Sequence, residues 1–187
     1  MNGVSPSGGA ALLVVDVQPT FLRVMPGGEA CLRRCHLAVG AARLLGLPIF
    51  FTEQVPAKLG STHPDLLRAA GDDPRVFGKT AFSAFGAPGL AEAVQAAGIA
   101  HLLVVGLEGP VCVHQTAVAA LRADLGVTLL DDAITERRAA DGAACRAAWR
   151  HAGATVLPVE TVFYALLGDA ADPRFRAFTE LVKQAQA

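Results

Sequence analysis

Short apolar segments alternate along this chain with longer segments that are rich in alanine. The apolar segments consist mostly of Val, Leu and Ile, without polar residues at alternate positions, and they are Ala11–Val17, Leu47–Thr52, Ile99–Gly106, Val127–Asp131 and Thr155–Val159. Strands of a parallel sheet show this continuous apolar pattern because both of their faces are covered. We therefore predict five buried strands, and a weaker sixth strand fits at Arg75–Gly78.

The alanine-rich segments between these strands predict helices. They are Glu29–Leu45, Gly89–Ala97, Val111–Ala123, Glu136–His151 and Pro173–Gln186. Four joins between a helix and the next strand contain a glycine that would end the helix in a left-handed conformation, namely Gly46, Gly98, Gly126 and Gly153. Strands that alternate with helices form right-handed crossovers. The prediction is a three-layer α/β domain with a mainly parallel sheet of about six strands and helices on both faces.

The composition restricts the classes of protein to which the chain could belong. Its 187 residues suit one domain, with residues 1–10 as a flexible N-terminus and residues 11–187 as the folded part. The net charge of −1 provides no attraction to nucleic-acid phosphates or to anionic lipid. No apolar run approaches the roughly 20 residues that span a bilayer, and the N-terminus lacks the basic start of a signal peptide. We expect a cytoplasmic protein that binds neither nucleic acid nor membranes.

Four cysteines are present, and their spacing predicts free thiols. They are Cys31, Cys35, Cys112 and Cys145, and none belongs to a Cys-x-x-Cys pair. Free cysteine is commonly a small buried residue. We expect that role for all of them except Cys112, whose position indicates chemistry.

Polar residues follow the predicted strands, where ligands bind in open parallel sheets. These candidates are Asp16, Gln18, Glu53, Gln54, Lys79, the turn Leu107–Cys112, Asp131 and Asp132. Taken alone, each of three candidates also has an ordinary structural explanation. Asp16 could cap a turn, Lys79 could be a surface lysine, and Cys112 could be a small residue at the start of a helix. Together they supply a base, a cation and a nucleophile at three neighbouring strand ends.

The local sequence around Cys112 predicts an activated thiol. Pro110 is typical of a first helical turn, so Cys112 would lie at the N-terminus of the helix Val111–Ala123. Backbone N–H groups and the helix dipole at that end would lower the pKa of the thiol. The same N–H groups would stabilise an oxyanion on an attacked carbonyl group.

Three segments that contain these residues resemble the isochorismatase-like cysteine hydrolases, which include nicotinamidases and carbamoylsarcosine amidohydrolases. The segments are Leu13–Gln18, Gly78–Phe85 and Gly106–Ala117, and the resemblance runs from Ala11 to about Leu167. It implies a Rossmann-like fold with Asp16, Lys79 and Cys112 as the catalytic triad. It further implies an oxyanion hole formed by the backbone N–H groups of Glu108 and Cys112, after a cis peptide bond at Leu107–Glu108.

The sequence departs from that family pattern at two places. Nicotinamidases carry a metal-binding Asp-x-His and a further His after the second strand, whereas the segment Glu53–His63 contains a single histidine. We therefore expect no metal and no other cofactor. The usual Thr-Asp before the cysteine is replaced by Glu108-Gly109-Pro110, which resembles the uncharacterised isochorismatase-domain branch.

Two functions are consistent with these residues. The first is a metal-independent amidase that cleaves a C–N bond of a small molecule through a cysteine thioester, with Gln18 and Gln54 as hydrogen-bonding residues and Phe21, Phe82 and Phe85 as apolar walls. The second is a catalytically idle relative that acts as a thiol sensor or protein-interaction module, because Glu108 beside the thiol would raise its pKa. A nucleotide-binding domain is disfavoured because no Gly-x-Gly-x-x-Gly follows the first strand.

The apolar surplus of this small domain also predicts a homo-oligomer, either a dimer or a larger ring, as the family resemblance does. The segment Glu160–Gly168 is the candidate contact surface, through Phe163, Tyr164, Leu166 and Leu167.

Overall fold

The computed structural model describes residues 9–186 and contains one sheet of six parallel strands. Its spatial order is β3-β2-β1-β4-β5-β6. The strands are β1 (Ala10–Val15), β2 (Ile49–Gln54), β3 (Arg75–Lys79), β4 (His101–Leu107), β5 (Gly126–Thr135) and β6 (Thr155–Leu157). The predicted α/β fold with six strands is confirmed, including the weak strand at Arg75.

Helices connect the strands and cover both faces of the sheet. They are α1 (Pro19–Leu22), α2 (Gly28–Leu44), α3 (Pro56–Leu59), α4 (Pro64–Ala70), α5 (Leu90–Ala96), α6 (His114–Arg122), α7 (Ala139–His151), α8 (Val159–Leu167) and α9 (Phe175–Gln186). A 3-10 turn at Ala84–Gly86 and a π-helical turn at Gly109–Val113 complete the described elements. Within residues 9–186, no helix combines the length and the apolar character that crossing a membrane requires.

The two faces of β1 belong to two separate hydrophobic cores. Leu12 and Val14 contribute to the core beneath α2, α8 and α9, whereas Leu13 and Val15 contribute to the core beneath α5, α6 and α7. All six residues of β1 are buried. A strand buried on both faces explains why its sequence is continuously apolar.

Several predicted boundaries change in the structure. The first strand begins at Ala10, and residues 1–8 of the predicted flexible N-terminus lie outside the described residues. Gly46, Gly98 and Gly153 have the positive φ angles that were expected at helix ends, but Gly126 is instead the first residue of β5. Asp124, with φ of 59°, is the left-handed residue at that join.

The sequence predicted that Asp131 and Asp132 follow a strand. This was wrong, because β5 continues to Thr135 and both residues lie within it. Asp131 pairs with Arg146 of α7, and Asp132 accepts a hydrogen bond of 2.7 Å from Arg34 of α2. Each carboxylate therefore ties the sheet to a helix.

The proposed oligomer surface is mostly internal to the protomer, because α8 packs against β5 and α2. Phe163, Leu166 and Leu167 are buried in the core beneath α2. Tyr164 is 37% exposed and meets Phe178 edge-on, with 4.9 Å between the ring centroids. Of the apolar side chains named for an oligomer contact, Tyr164 alone is exposed.

The remaining cysteines are free thiols. Cys31 and Cys35 are buried on α2 with their sulfur atoms 3.9 Å apart, as expected for small core residues. Cys145 differs from that expectation because its position on α7 leaves it partly exposed.

Strands β1 and β4 approach each other closely at Gly106, which pairs with Val15. Gly106 has φ of 140°, and a Cβ atom there would overlap the Val15 carbonyl oxygen and lie 2.8 Å from the Val15 nitrogen. Only glycine fits this contact. The contact lies just before the residues that end both strands at the carboxyl edge of the sheet.

We predict that Gly106→Ala lowers the free energy of unfolding by about 3 kcal/mol or more, because two backbones must separate. Gly46→Ala is the matched control, since Gly46 has φ of 71° but nothing within 4 Å of a Cβ atom. That control should lose only about 1 kcal/mol. Urea unfolding of both variants measures the difference, and equal losses would contradict the prediction.

Candidate active site

The carboxyl ends of β1, β3 and β4 bring together the three residues that the sequence selected. Asp16 follows β1, Lys79 ends β3, and Cys112 lies in the π-helical turn after β4. Lys79 Nζ donates a hydrogen bond of 2.6 Å to Asp16 Oδ2 and lies 3.8 Å from Cys112 Sγ. Strand order reverses between β1 and β4, which is where ligands bind in such sheets.

All three side chains are enclosed by protein. Asp16, Lys79 and Cys112 are 1%, 3% and 4% exposed. A buried ammonium or carboxylate is costly without a partner of opposite charge, and here each charge has one. The ion pair therefore fixes the relative position of β1 and β3.

Residues of β2 complete the hydrogen bonding of this ion pair. Thr52 Oγ1 donates to Asp16 Oδ1 at 2.8 Å, so both carboxylate oxygens of Asp16 are engaged. Gln54 Oε1 accepts from Lys79 Nζ at 2.6 Å, and the Ala81 carbonyl oxygen accepts from it at 3.2 Å. These contacts orient the carboxylate and the ammonium.

The two glutamines proposed for substrate binding have different positions. Gln54 is part of the site, since its Oε1 contacts Lys79 and lies 4.0 Å from Cys112 Sγ. Gln18 is fully buried, and its side chain donates to the carbonyl oxygens of Gln54 and Gly60 while it accepts from the Gln54 N–H group. The amide group of Gln18 is thus engaged in hydrogen bonds that hold the segment after β2. A contact between Gln18 and the substrate stays a prediction.

Glu53 has a similar structural role. It is 8% exposed, and its Oε1 accepts a hydrogen bond of 2.7 Å from the Thr62 N–H group. The side chain therefore closes the loop between β2 and α4. No cluster of three or more His, Cys, Asp or Glu residues that could hold a metal ion occurs in residues 9–186.

The three phenylalanines proposed as pocket walls lie in different surroundings, and only Phe85 packs against the core that includes Cys112. Phe21 packs against the core beneath α2, and Phe85 packs against the core on the opposite face of the sheet. Phe82 is 53% exposed. Their role in substrate binding stays a prediction.

The cis peptide bond expected at Leu107–Glu108, before the turn that carries Cys112, is absent, so that prediction was wrong. No peptide bond within residues 9–186 is cis. Instead, Glu108 adopts a left-handed conformation with φ of 57°, and its carbonyl oxygen accepts from the N–H groups of Val111 and Val113. This π-helical turn replaces the first turn of the predicted helix, and π-helical turns are frequent at functional sites.

Thr116 anchors the same turn and was not selected from the sequence. Its Oγ1 donates to the Cys112 carbonyl oxygen at 2.6 Å and accepts from the Ala84 N–H group at 2.8 Å. The spacing of four residues from Cys112, which places both on one helix face, is the signal that could have indicated it.

Burial raises the pKa of Cys112 to about 12, and the charge of Asp16 contributes further in the same direction. Lys79 lowers this pKa, whereas a hydrogen bond with Asp16 and the charge of Glu108 raise it. The expected activation by a helix N-terminus was therefore wrong. The physical reason is that the sulfur is removed from solvent and faces two carboxylates. At neutral pH the group is a protonated thiol, and Gln54 Oε1 lies within 4.0 Å of its sulfur as a hydrogen-bond acceptor.

The fold and this buried base, ammonium and thiol define a class of α/β proteins with a cysteine site at the switch point of a parallel sheet. Residues 10–161 match the family model described as the Isochorismatase domain. The chain belongs to the isochorismatase family, as its motifs predicted.

The chain is 32% identical over 178 residues to isochorismatase domain-containing protein 2 of Bos taurus, covering 95% of this chain and 84% of that protein. The MAR1 ribonuclease of Caenorhabditis elegans has a similar structure, with a TM-score of 0.90, 28% identity and coverage of 97% of this chain and 92% of that one. The YcaC gene product of Escherichia coli, described as an octameric hydrolase of unknown specificity, shares the fold with a TM-score of 0.86 at 19% identity, covering 100% and 97% of the two chains.

We predict that alkylation of Cys112 by iodoacetamide accelerates about tenfold per pH unit between pH 7 and 10, because only the thiolate reacts. Peptide mapping by mass spectrometry gives the rate at each cysteine. A plateau at or below pH 9 would show that the pKa of Cys112 is not raised.

The neighbouring charges should move this rate in opposite directions. Asp16→Asn removes a charge and a hydrogen-bond acceptor that raise the pKa of Cys112, so labelling at neutral pH should become faster. Lys79→Met removes the charge that lowers this pKa, so labelling should become slower. Labelling of Cys145 in the same samples is the internal control, and it should not change.

Proposed function

We propose that this protein is a metal-independent cysteine hydrolase that cleaves the C–N bond of a small amide through a thioester on Cys112. The observation that carries the proposal is the placement of Lys79 Nζ at 2.6 Å from Asp16 Oδ2 and 3.8 Å from Cys112 Sγ. A base, a cation and a nucleophile within contact of one another can perform acyl transfer without a metal. Membership of the isochorismatase family supports a hydrolase.

The first half of the reaction forms the thioester. Asp16 accepts the thiol proton as Cys112 Sγ bonds to the amide carbonyl carbon, and the carbonyl oxygen becomes an oxyanion. The backbone N–H groups of Glu108 and Cys112 receive this oxyanion. Asp16 then returns the proton to the leaving nitrogen as the C–N bond breaks, which releases ammonia or an amine.

The second half restores the enzyme. Asp16 takes a proton from a water molecule whose oxygen attacks the thioester carbon, and the C–S bond breaks to release the acid. The thiolate regains its proton from Asp16. Lys79 stays protonated throughout, because its ammonium stabilises the Asp16 carboxylate at rest and the sulfur anion as it forms.

The raised pKa of Cys112 agrees with this mechanism. A thiol that is protonated at rest needs a base in contact with it, and a hydrogen bond with Asp16 contributes to the raised pKa of the thiol. A thiol sensor, by contrast, depends on a thiolate at neutral pH, which burial of Cys112 opposes. The catalytically idle alternative also predicts a raised pKa, and Glu108 contributes to it. What favours the amidase is the contact of Lys79 with both Asp16 and Cys112.

The test is a screen of small primary and secondary amides for released ammonia or amine. We predict that Cys112→Ser and Asp16→Asn each lower kcat/KM by about a thousandfold or more, because groups that act as a unit fail together. Cys145→Ser should retain the wild-type value. In Asp16→Asn, labelling of Cys112 should accelerate while turnover is lost, which separates loss of the base from loss of the fold.

Two outcomes would contradict the proposal. One is full turnover by Cys112→Ser on a confirmed substrate. The other is cleavage of a single-stranded RNA without hydrolysis of any amide, a counter-screen included because one structural neighbour is described as a ribonuclease. Absence of both activities would favour the interaction-module alternative.

We further propose that the chain forms a homo-oligomer. The neighbour described as octameric supports this, and Tyr164 offers an exposed aromatic side chain on α8. Sedimentation at micromolar concentration should give a mass of at least two chains, and Tyr164→Glu should reduce it. A monomeric wild type would contradict the proposal.

A further inference from the structure

The turn that would supply the oxyanion donors also carries a carboxylate that is incompletely paired. Glu108 is 8% exposed, and its Oε2 is enclosed by protein without a hydrogen-bond partner among residues 9–186. Its Oε1 contacts Arg137 Nε at 2.6 Å. A buried carboxylate with one unpaired oxygen is destabilising, so the charge can gain from a better donor.

Arg137 is a weak partner for this carboxylate. Its side chain is 63% exposed, and Nε approaches one oxygen rather than forming the two-point contact that makes arginine pairs strong. Exposed ion pairs contribute little to stability. The exposed guanidinium can therefore be exchanged for another cation that keeps the Glu108 carboxylate paired, and its presence shows that a nitrogen cation fits against Glu108.

A cavity of about 290 Å³ lies at this position, lined by Glu108, Pro110, Arg137, Arg138 and Asp141. Pro110 belongs to the turn that carries Cys112, two residues further on. Arg138 Nε pairs with Asp141 Oδ2 at 2.7 Å, so the second arginine of the cavity has its own carboxylate. Glu108 is the lining residue whose charge is left incompletely neutralised.

Two further observations concern negative charge beside the turn that carries Cys112. The charge of Glu108 contributes to the raised pKa of Cys112. Glu136 also has a buried Oε2 without a partner in the described residues, 3.1 Å from where a Cβ atom on Gly109 would lie. Both carboxylates therefore flank the turn Gly109–Val113.

We propose that this cavity is the subsite for a cationic nitrogen on the substrate, which Glu108 binds after Arg137 has moved away. The substrate class is then an amide that carries an ammonium or amidinium group near the scissile C–N bond. This inference rests on the proposed cysteine hydrolase, because it assigns a specificity-determining residue to that site.

The experiment compares two iodoacetamides of the same shape, one with an N-propyl group and one with an N-aminoethyl group that is cationic at neutral pH. The measured quantity is the ratio of their labelling rates at Cys112, with free N-acetylcysteine in the same solution as the reference. Because both probes react with the same thiolate, the ratio cancels any change in the pKa of Cys112. Labelling needs no turnover, so failure of the amide screen and failure of this test are distinguishable.

Removal of the internal cation should increase the preference for the cationic probe. We expect Arg137→Met to raise the ratio by about tenfold, since a charge-assisted hydrogen bond is worth about that factor. Glu108→Gln should abolish the preference. Arg138→Met is the matched control, because it removes the same charge from the same cavity without a contact to Glu108, and it should leave the ratio within about twofold.

Three results would overturn the inference. The first is a rise of the ratio in Arg138→Met equal to that in Arg137→Met. It would show that the cationic probe responds to the net charge of the cavity and not to a contact with Glu108. The second is an unchanged ratio in both Glu108→Gln and Arg137→Met, with folding of each verified by thermal melting. The third is failure of both probes to label Cys112, which would show that the cavity does not lead to the sulfur.

Discussion

The ion pair between Lys79 and Asp16 is the interaction on which the rest of the site depends. An ammonium and a carboxylate that are 3% and 1% exposed are tolerated only because they meet at 2.6 Å and because β2 supplies the remaining partners. Thr52 and Gln54 lie on the strand between β1 and β3, and each contacts one member of the pair. Two buried charges at the ends of β1 and β3 are thus held together by the strand that separates them.

This arrangement determines the state of the thiol. Cys112 is adjacent to a pair whose charges largely cancel, so burial dominates and raises its pKa to about 12. A cysteine in such surroundings is protected from indiscriminate reaction, since thiols react as thiolates. In the proposed mechanism, its reactivity depends on a carbonyl group being bound at the moment Asp16 takes the proton. A closed site is consistent with a nucleophile that is activated by its substrate.

The sequence predicts the sheet and the positions of Asp16, Lys79 and Cys112 at its carboxyl edge, because both depend on local features. Strands buried on both faces are continuously apolar, and the polar residue that ends each strand interrupts the pattern visibly. The roles of Asp131 and Asp132 could not be predicted, since their partners Arg146 and Arg34 come from distant segments. The hydrogen bonds of Gln18 and Glu53 could not be predicted for the same reason, because both side chains hold a loop whose path only the fold defines. The pKa of Cys112 depends on burial by the whole domain and has no local signature.

Glu108 illustrates how backbone and side chain make separate demands at one position. A turn that needed only N–H donors would adopt φ of 57° at lower conformational energy with glycine, and it would avoid a buried carboxylate. Glu108 therefore carries two costs to stability, a left-handed backbone and a buried, incompletely paired carboxylate. It lies between Gly106, where β1 and β4 approach closely, and the π-helical turn that carries Cys112. Such costs concentrate where function requires them. In the proposed hydrolase, the backbone N–H group of this residue would serve the reaction, and its side chain would be the part that selects the substrate.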